Sequence, residues 1–157
     1  MPDLSLALPE IWVAAMACLI LLSDLFLPGR ERRVTYALSL LTLAGGAWLT
    51  WSVQWNADAV AFGGSYQADN LAALLKIAML GLTALAFVYA YDFLRRRALL
   101  QGEYFVLGLF AVLGMMVIAS AHSLISAYLG LEMLSLSLYA LVAFNRESKL
   151  GAEAAMK

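Results

Sequence analysis

Ser123-Leu-Ile-Ser-Ala-Tyr-Leu-Gly-Leu-Glu132-Met-Leu-Ser-Leu-Ser-Leu-Tyr139-Ala-Leu-Val-Ala-Phe144 is the stretch that decides how this chain folds. It is long enough to cross the ~30 Å hydrocarbon core of a bilayer, which takes roughly 20 apolar residues. One acid interrupts it. Glu132 lies nine residues after Ser123 and twelve before Phe144, close to mid-membrane, where its short stem reaches neither interface. At helical spacing Tyr128 (i−4), Ser135 (i+3) and Tyr139 (i+7) share its face, a stripe able to hydrogen-bond a carboxyl and ordered water. Leu131, Leu134, Leu138 and Leu141 point to lipid or to neighbouring helices. Ser126, Gly130 and Ser137 make a third face of small residues suited to close helix packing.

The rest of the chain has the same character. The hydrophobic fraction is 64% and the charged fraction 13%, with a mean hydropathy of +0.83. A soluble domain averages about 45–50% apolar and about 25% charged. A water-soluble fold of 157 residues has too little polar surface to cover this sequence, so lipid is its natural solvent. The net charge of −1 gives no electrostatic argument for nucleic acid. The single cysteine, Cys18, excludes an intramolecular disulfide and a multi-cysteine metal site. Within its apolar run it reads as a buried, inert thiol.

Working outward from the quoted stretch, four more runs are long enough to span. The predicted spans cover about 6–27, 34–53, 70–93, 104–121 and 123–144, in an all-α polytopic bundle forming a single transmembrane domain over 1–157. The first run is a retained helix and not a signal peptide. Met1-Pro2-Asp3 is acidic, and Leu25-Phe26-Leu27-Pro28 offers no small-residue cleavage site. Pro28-Gly29 ends it. Trp48, Trp51 and Trp55 form an interfacial belt at the end of the second span. A polar connection over 56–69 turns at Gly63-Gly64, and Asp69 or Asn70 caps the third span. A sixth helix opens near Ser148, with good helix formers and no stop signal, which predicts an N-terminal fragment of a longer protein.

Basic residues set the orientation. Arg30, Arg32 and Arg33 follow the first span, Arg95, Arg96 and Arg97 the third, and Arg146 and Lys149 the fifth. The two intervening loops hold no Lys or Arg. Five crossings place every basic cluster on one side, so the positive-inside rule puts these loops in the cytoplasm and the N-terminus outside.

Ionisable residues at membrane depth each need a reason, since a charge at the bilayer centre costs at least ~2.5 kcal/mol on insertion scales. Glu10 and Asp24 lie near the ends of the first span and read as solvated helix termini, and Asp92 as a partner of the arginine triplet. Lys76 lies two turns into the third span, roughly 9 Å from its start at 1.5 Å per residue. Either its stem snorkels outward or it joins an intramembrane charge path, with Asp24 and Glu132 the partners to test. Glu132 is either a neutral acid donating an interhelical hydrogen bond or a titrating group in a proton path. Lys157 opens the sixth helix, as a first-turn surface residue or as the first lysine of a continuing path. His122 reads as interfacial, with no second His or Cys cluster to make a metal site. Phosphate loops, Ser/His/Asp sets and CxxC pairs do not occur in the sequence.

From the fourth span on, the chain resembles a known family. The carriers are Glu103-Tyr-Phe-Val-Leu-Gly-Leu-Phe, then Ser120-Ala-His-Ser-Leu-Ile-Ser-Ala-Tyr-Leu-Gly-Leu-Glu132-Met-Leu-Ser-Leu-Ser-Leu-Tyr139-Ala-Leu-Val-Ala, then Glu153-Ala-Ala-Met-Lys157. They are similar to subunit N of the proton-pumping NADH:quinone oxidoreductase, respiratory complex I, one of the antiporter-like membrane subunits. The resemblance implies a fold of about fourteen helices around two inverted five-helix repeats. It also implies a proton channel using a glutamate of the fifth helix, which maps to Glu132, and lysines of later helices. Lys157 matches a lysine at the start of the family's sixth helix. The implied role is proton translocation in a bacterial inner membrane, alongside other membrane-arm subunits in the lipid bilayer, with no nucleic acid. No cofactor or metal is expected in this chain, because NADH, FMN, iron–sulfur clusters and quinone are handled by other subunits. A multisubunit cation/proton antiporter carries a weaker version of the motif and is the alternative. A scaffold role without ion movement is the third.

Overall fold

The computed structural model describes residues 2–26, 32–96 and 102–143. It is an all-α polytopic membrane bundle with one small hairpin at one end. A short helix α1 (Pro2–Leu6) leads into α2 (Leu8–Phe26). Helix α3 (Arg32–Leu49) continues through a π-helical turn, Thr50–Gln54. Strands β1 (Ala59–Ala61) and β2 (Tyr66–Ala68) pair antiparallel, Val60 opposite Gln67. Then come α4 (Asn70–Arg96), α5 (Gly102–Ala119) and α6 (Leu124–Val142). Among the described residues, four helices are long and apolar enough to cross a membrane: α3 with its π turn, α4, α5 and α6. The 19-residue α2 packs beside α3 and α5.

The central helix is α5, which is apolar all round and packs against α2, α3, α4 and α6, as a helix without a polar face must. Phe105, Leu109, Val112 and Met116 are fully buried along it and meet Val13, Ala17 and Ile20 of α2, Leu43 of α3, and Leu80 and Phe87 of α4 in one core. Small residues set the closest approaches. A Cβ at Gly114 would stand 2.7 Å from the backbone nitrogen of Leu134, and one at Gly130 would stand 2.9 Å from the Gly114 carbonyl. The face read as fit for close packing is used this way, with Gly130 and Ser137 both buried.

The ends of elements follow local chemistry. Asp69 caps α4, its Oδ1 accepting from Ala72 N at 2.7 Å. Asn70 instead accepts from Asn56 N at 2.7 Å and ties the hairpin's base to the helix. Ser123 caps α6 through Ser126 N at 3.2 Å. The glycine pair turns the hairpin with φ of 64° and 90°, values that L side chains rarely adopt. The hairpin itself is an addition to the expected polar connection. It docks on the α5–α6 link through Gln67 N to Ser120 O (2.9 Å) and His122 N to Ser65 O (3.1 Å).

Two expectations change at this level. Cys18 is exposed on the outer face of α2, because the core side of that helix runs through Val13, Ala17 and Ile20. The expected sixth helix, with Lys157, Arg146 and Lys149, lies outside the described residues, as do Arg30 and Arg97.

Candidate functional site

Polar groups gather in two places. The first is the stripe on α6. Glu132 stands mid-helix, with the Tyr128 phenol interacting with its carboxylate from the preceding turn. Tyr128 and Tyr139 are exposed, and Glu132 and Ser135 half-buried. Among the described residues Glu132 makes no ion pair. The described helices therefore do not enclose the carboxyl that the sequence placed at membrane depth. Helix α6 packs chiefly on α5 through its small-residue face, and the polar stripe looks outward.

The second assembly is enclosed. Lys76, fully buried on α4, forms an ion pair with Glu10 of α2 at 2.5 Å. Its ammonium also donates to Gln54 Oε1 at 2.9 Å and to the Tyr66 hydroxyl at 3.1 Å, so all three of its protons have acceptors. Tyr66 from β2 reaches Glu10 Oε1 at 3.0 Å and the Leu6 carbonyl at 3.1 Å. The Gln54 amide donates to the Leu6 carbonyl (2.7 Å) and the Tyr66 hydroxyl (2.8 Å). The π turn brings Gln54 inward at the end of α3, a local widening that often marks functional positions. Burial and the neighbouring Glu10 carboxylate raise the Tyr66 phenol above its ordinary range, so it stays a neutral donor.

This geometry corrects two readings. Glu10 is no solvated helix end but 8% exposed and paired. Lys76 neither snorkels nor meets Asp24 or Glu132. Asp24 lies at the opposite end of α2, where it accepts from Thr35 Oγ1 at 3.0 Å and abuts Gly102 at the start of α5. The expected five-span order placed Glu10 and Lys76 toward one face and Asp24 toward the other, but the local sequence around Glu10 gave no sign of a buried partner, and neither did that around Gln54 or Tyr66. His122 is exposed at the hairpin end, its Nδ1 2.9 Å from Gln67 Oε1.

Against known proteins, no family model matches the chain. Curated proteins named NADH-quinone oxidoreductase subunit N do match. The one from Alkalilimnicola ehrlichii is 54% identical over 157 residues, all of this chain and 32% of the relative. The one from Thioalkalivibrio sulfidiphilus is 49% identical over 156 residues, 99% of this chain and 32% of the relative. That of Nitrosomonas europaea is 45% identical over 157 residues, the whole chain and 33% of the relative. The chain spans about a third of the length of these curated relatives. The likeness first carried by the Glu132 motif thus extends from end to end: over its whole length the chain is similar to about a third of proteins named NADH-quinone oxidoreductase subunit N.

Proposed function

We propose that this chain is part of a proton-translocating membrane-arm subunit of NADH:quinone oxidoreductase. The observation that carries the proposal is whole-chain similarity to proteins named for that complex, over a bundle whose α6 holds a carboxyl at mid-span. Electron transfer belongs to other subunits, and quinone reduction there changes the electrostatics along the membrane arm. In this reading Glu132 is the titrating group. Tyr128 orients its carboxyl, while Ser135 and Tyr139 continue the polar stripe for ordered water. The lysines that would complete the path lie among residues beyond those described, Lys157 first of them. The outward-looking stripe supports this arrangement, since a polar face at membrane depth needs covering by further protein or by a water-lined cavity. The membrane is a bacterial inner membrane, with the hairpin end outside and the arginine loops in the cytoplasm.

The test is purification of the tagged full-length protein from gently solubilised membranes. Inhibitor-sensitive NADH:quinone reductase activity is expected to co-purify. Hydrophobic partners without that activity would transfer the chain to the cation/proton antiporters.

A further inference from the structure

We propose that Glu10 and Lys76, with Tyr66 and Gln54, form a second proton-exchange site at the hairpin end of the bundle, where a proton passes between Lys76 Nζ and Glu10 Oε1. The inference rests on the proton-translocation reading above but assigns a different place, remote from the α6 stripe.

The geometry is that of a transfer pair. The two heavy atoms are 2.5 Å apart, within hydrogen-bond reach, as a direct transfer requires. Moving the proton from the ammonium to the carboxylate turns an ion pair into a neutral amine and a neutral acid. No atom is gained or lost, and Gln54 and Tyr66 keep their hydrogen bonds in both forms. Uptake of one proton from outside then restores the ammonium beside a neutral acid, and its release returns the ion pair. Gln54 and Tyr66 can follow such changes because each both donates and accepts.

At the same end of the bundle a polar hollow at the hairpin base is lined by Asn56, Asp58, Gln67 and Asp69. Asp69 acts electrostatically on Lys76 from the cap of the same helix. On the far side, the buried Ser120 Oγ lies beside Tyr66. The titratable groups facing the pair are thus Tyr66 from β2 and Asp69 from the α4 cap, and the π turn contributes only the Gln54 amide. A structural strut needs no charge here. Two buried ions carry a desolvation penalty that a neutral pair of similar size avoids.

The test uses the full-length protein assembled in its complex in native membranes. The double substitution Glu10→Gln with Lys76→Met removes both charges and strands neither. Electron transfer and proton movement are measured together, with Glu132→Gln as reference. The double variant is expected to assemble and transfer electrons while proton movement is lost. Proton movement per electron equal to the unsubstituted protein would overturn the proposal, and if Glu132→Gln lowers pumping in the same membranes the reading of Glu132 stands regardless. If the unsubstituted complex moves no protons, the reading of the whole protein fails separately, and infrared spectra decide the pair. A protonated-carboxyl stretch that grows as pH falls and is absent from the double variant supports the site, and a carboxylate signal unchanged with pH removes it. Should the double variant not assemble, Tyr66→Phe decides, because it keeps both charges. A displaced pH profile of pumping supports the site and an unmoved one overturns it.

Discussion

At the scale of single residues, Lys76 shows how a buried charge is tolerated. Its ammonium is enclosed, and three acceptors from three different elements replace its water. Removing only one partner leaves the other ion buried and alone, which typically costs 3–5 kcal/mol, about the scale expected here. Lys76→Met is therefore predicted to lower the thermal midpoint of the detergent-solubilised full-length protein sharply. Adding Glu10→Gln is predicted to recover most of that loss. Tyr66 gives a pH prediction. Its phenol is raised above the ordinary tyrosine value of about 10. The folded state then holds this proton more tightly than the unfolded chain, so the contribution to stability is complete below about pH 10 and fades as alkali approaches the folded value. Spectroscopic titration should show Tyr66 ionising late, above the ordinary tyrosine range, and Tyr66→Phe should remove that late step. These residues also mark where the sequence was opaque. Glu132 announced itself by sitting in the middle of an apolar run. Glu10 stood at the start of one, where a solvated terminus and a buried ion-pair partner have identical local sequence. Its contacts lie 44 to 66 residues away in the chain.

Among elements, the α5–α6 contact depends on missing side chains. A Cβ at Gly114 meets backbone of α6, which cannot swing aside as a side chain end can. Gly114→Ala is predicted to force the helices apart, at about 1–3 kcal/mol. Gly81, with nothing within 4 Å of a built Cβ, is the control. Gly81→Ala should be neutral or stabilising by up to about 1 kcal/mol, from helix propensity alone. Thermal unfolding of the two variants side by side checks both. Four helices long and apolar enough to span were legible because apolar length is a property of each segment by itself, and the caps Asp69 and Ser123 because they act over three residues. The hairpin was not. Its strands are three residues each, too short for an alternation signal, and they are held by the α5–α6 link far along the chain. Cys18 was misjudged for a related reason: an apolar run does not say which face of its helix meets lipid.

For the whole molecule, the bundle has two unlike ends. The hairpin end carries the Glu10–Lys76 network and the exposed Trp48 and Trp51, with Trp51 stacked on Trp55 at 4.3 Å. The other end carries Arg95, Arg96 and Asp24. The proposed orientation predicts that, with Cys18 replaced by Ala, a cysteine at Asp58 reacts with an impermeant maleimide from outside intact cells. A cysteine at Arg95 should react only after the membrane is opened, and the reverse pattern would invert the topology. The proposed role of Glu132 is decided by proton pumping of the assembled complex in membrane vesicles, comparing Glu132→Gln with the unsubstituted protein at matched complex content. Gln is expected to lower proton pumping and Asp to retain part of it. Pumping unchanged by Gln would rule that role out and leave Glu132 as a neutral hydrogen-bonding side chain.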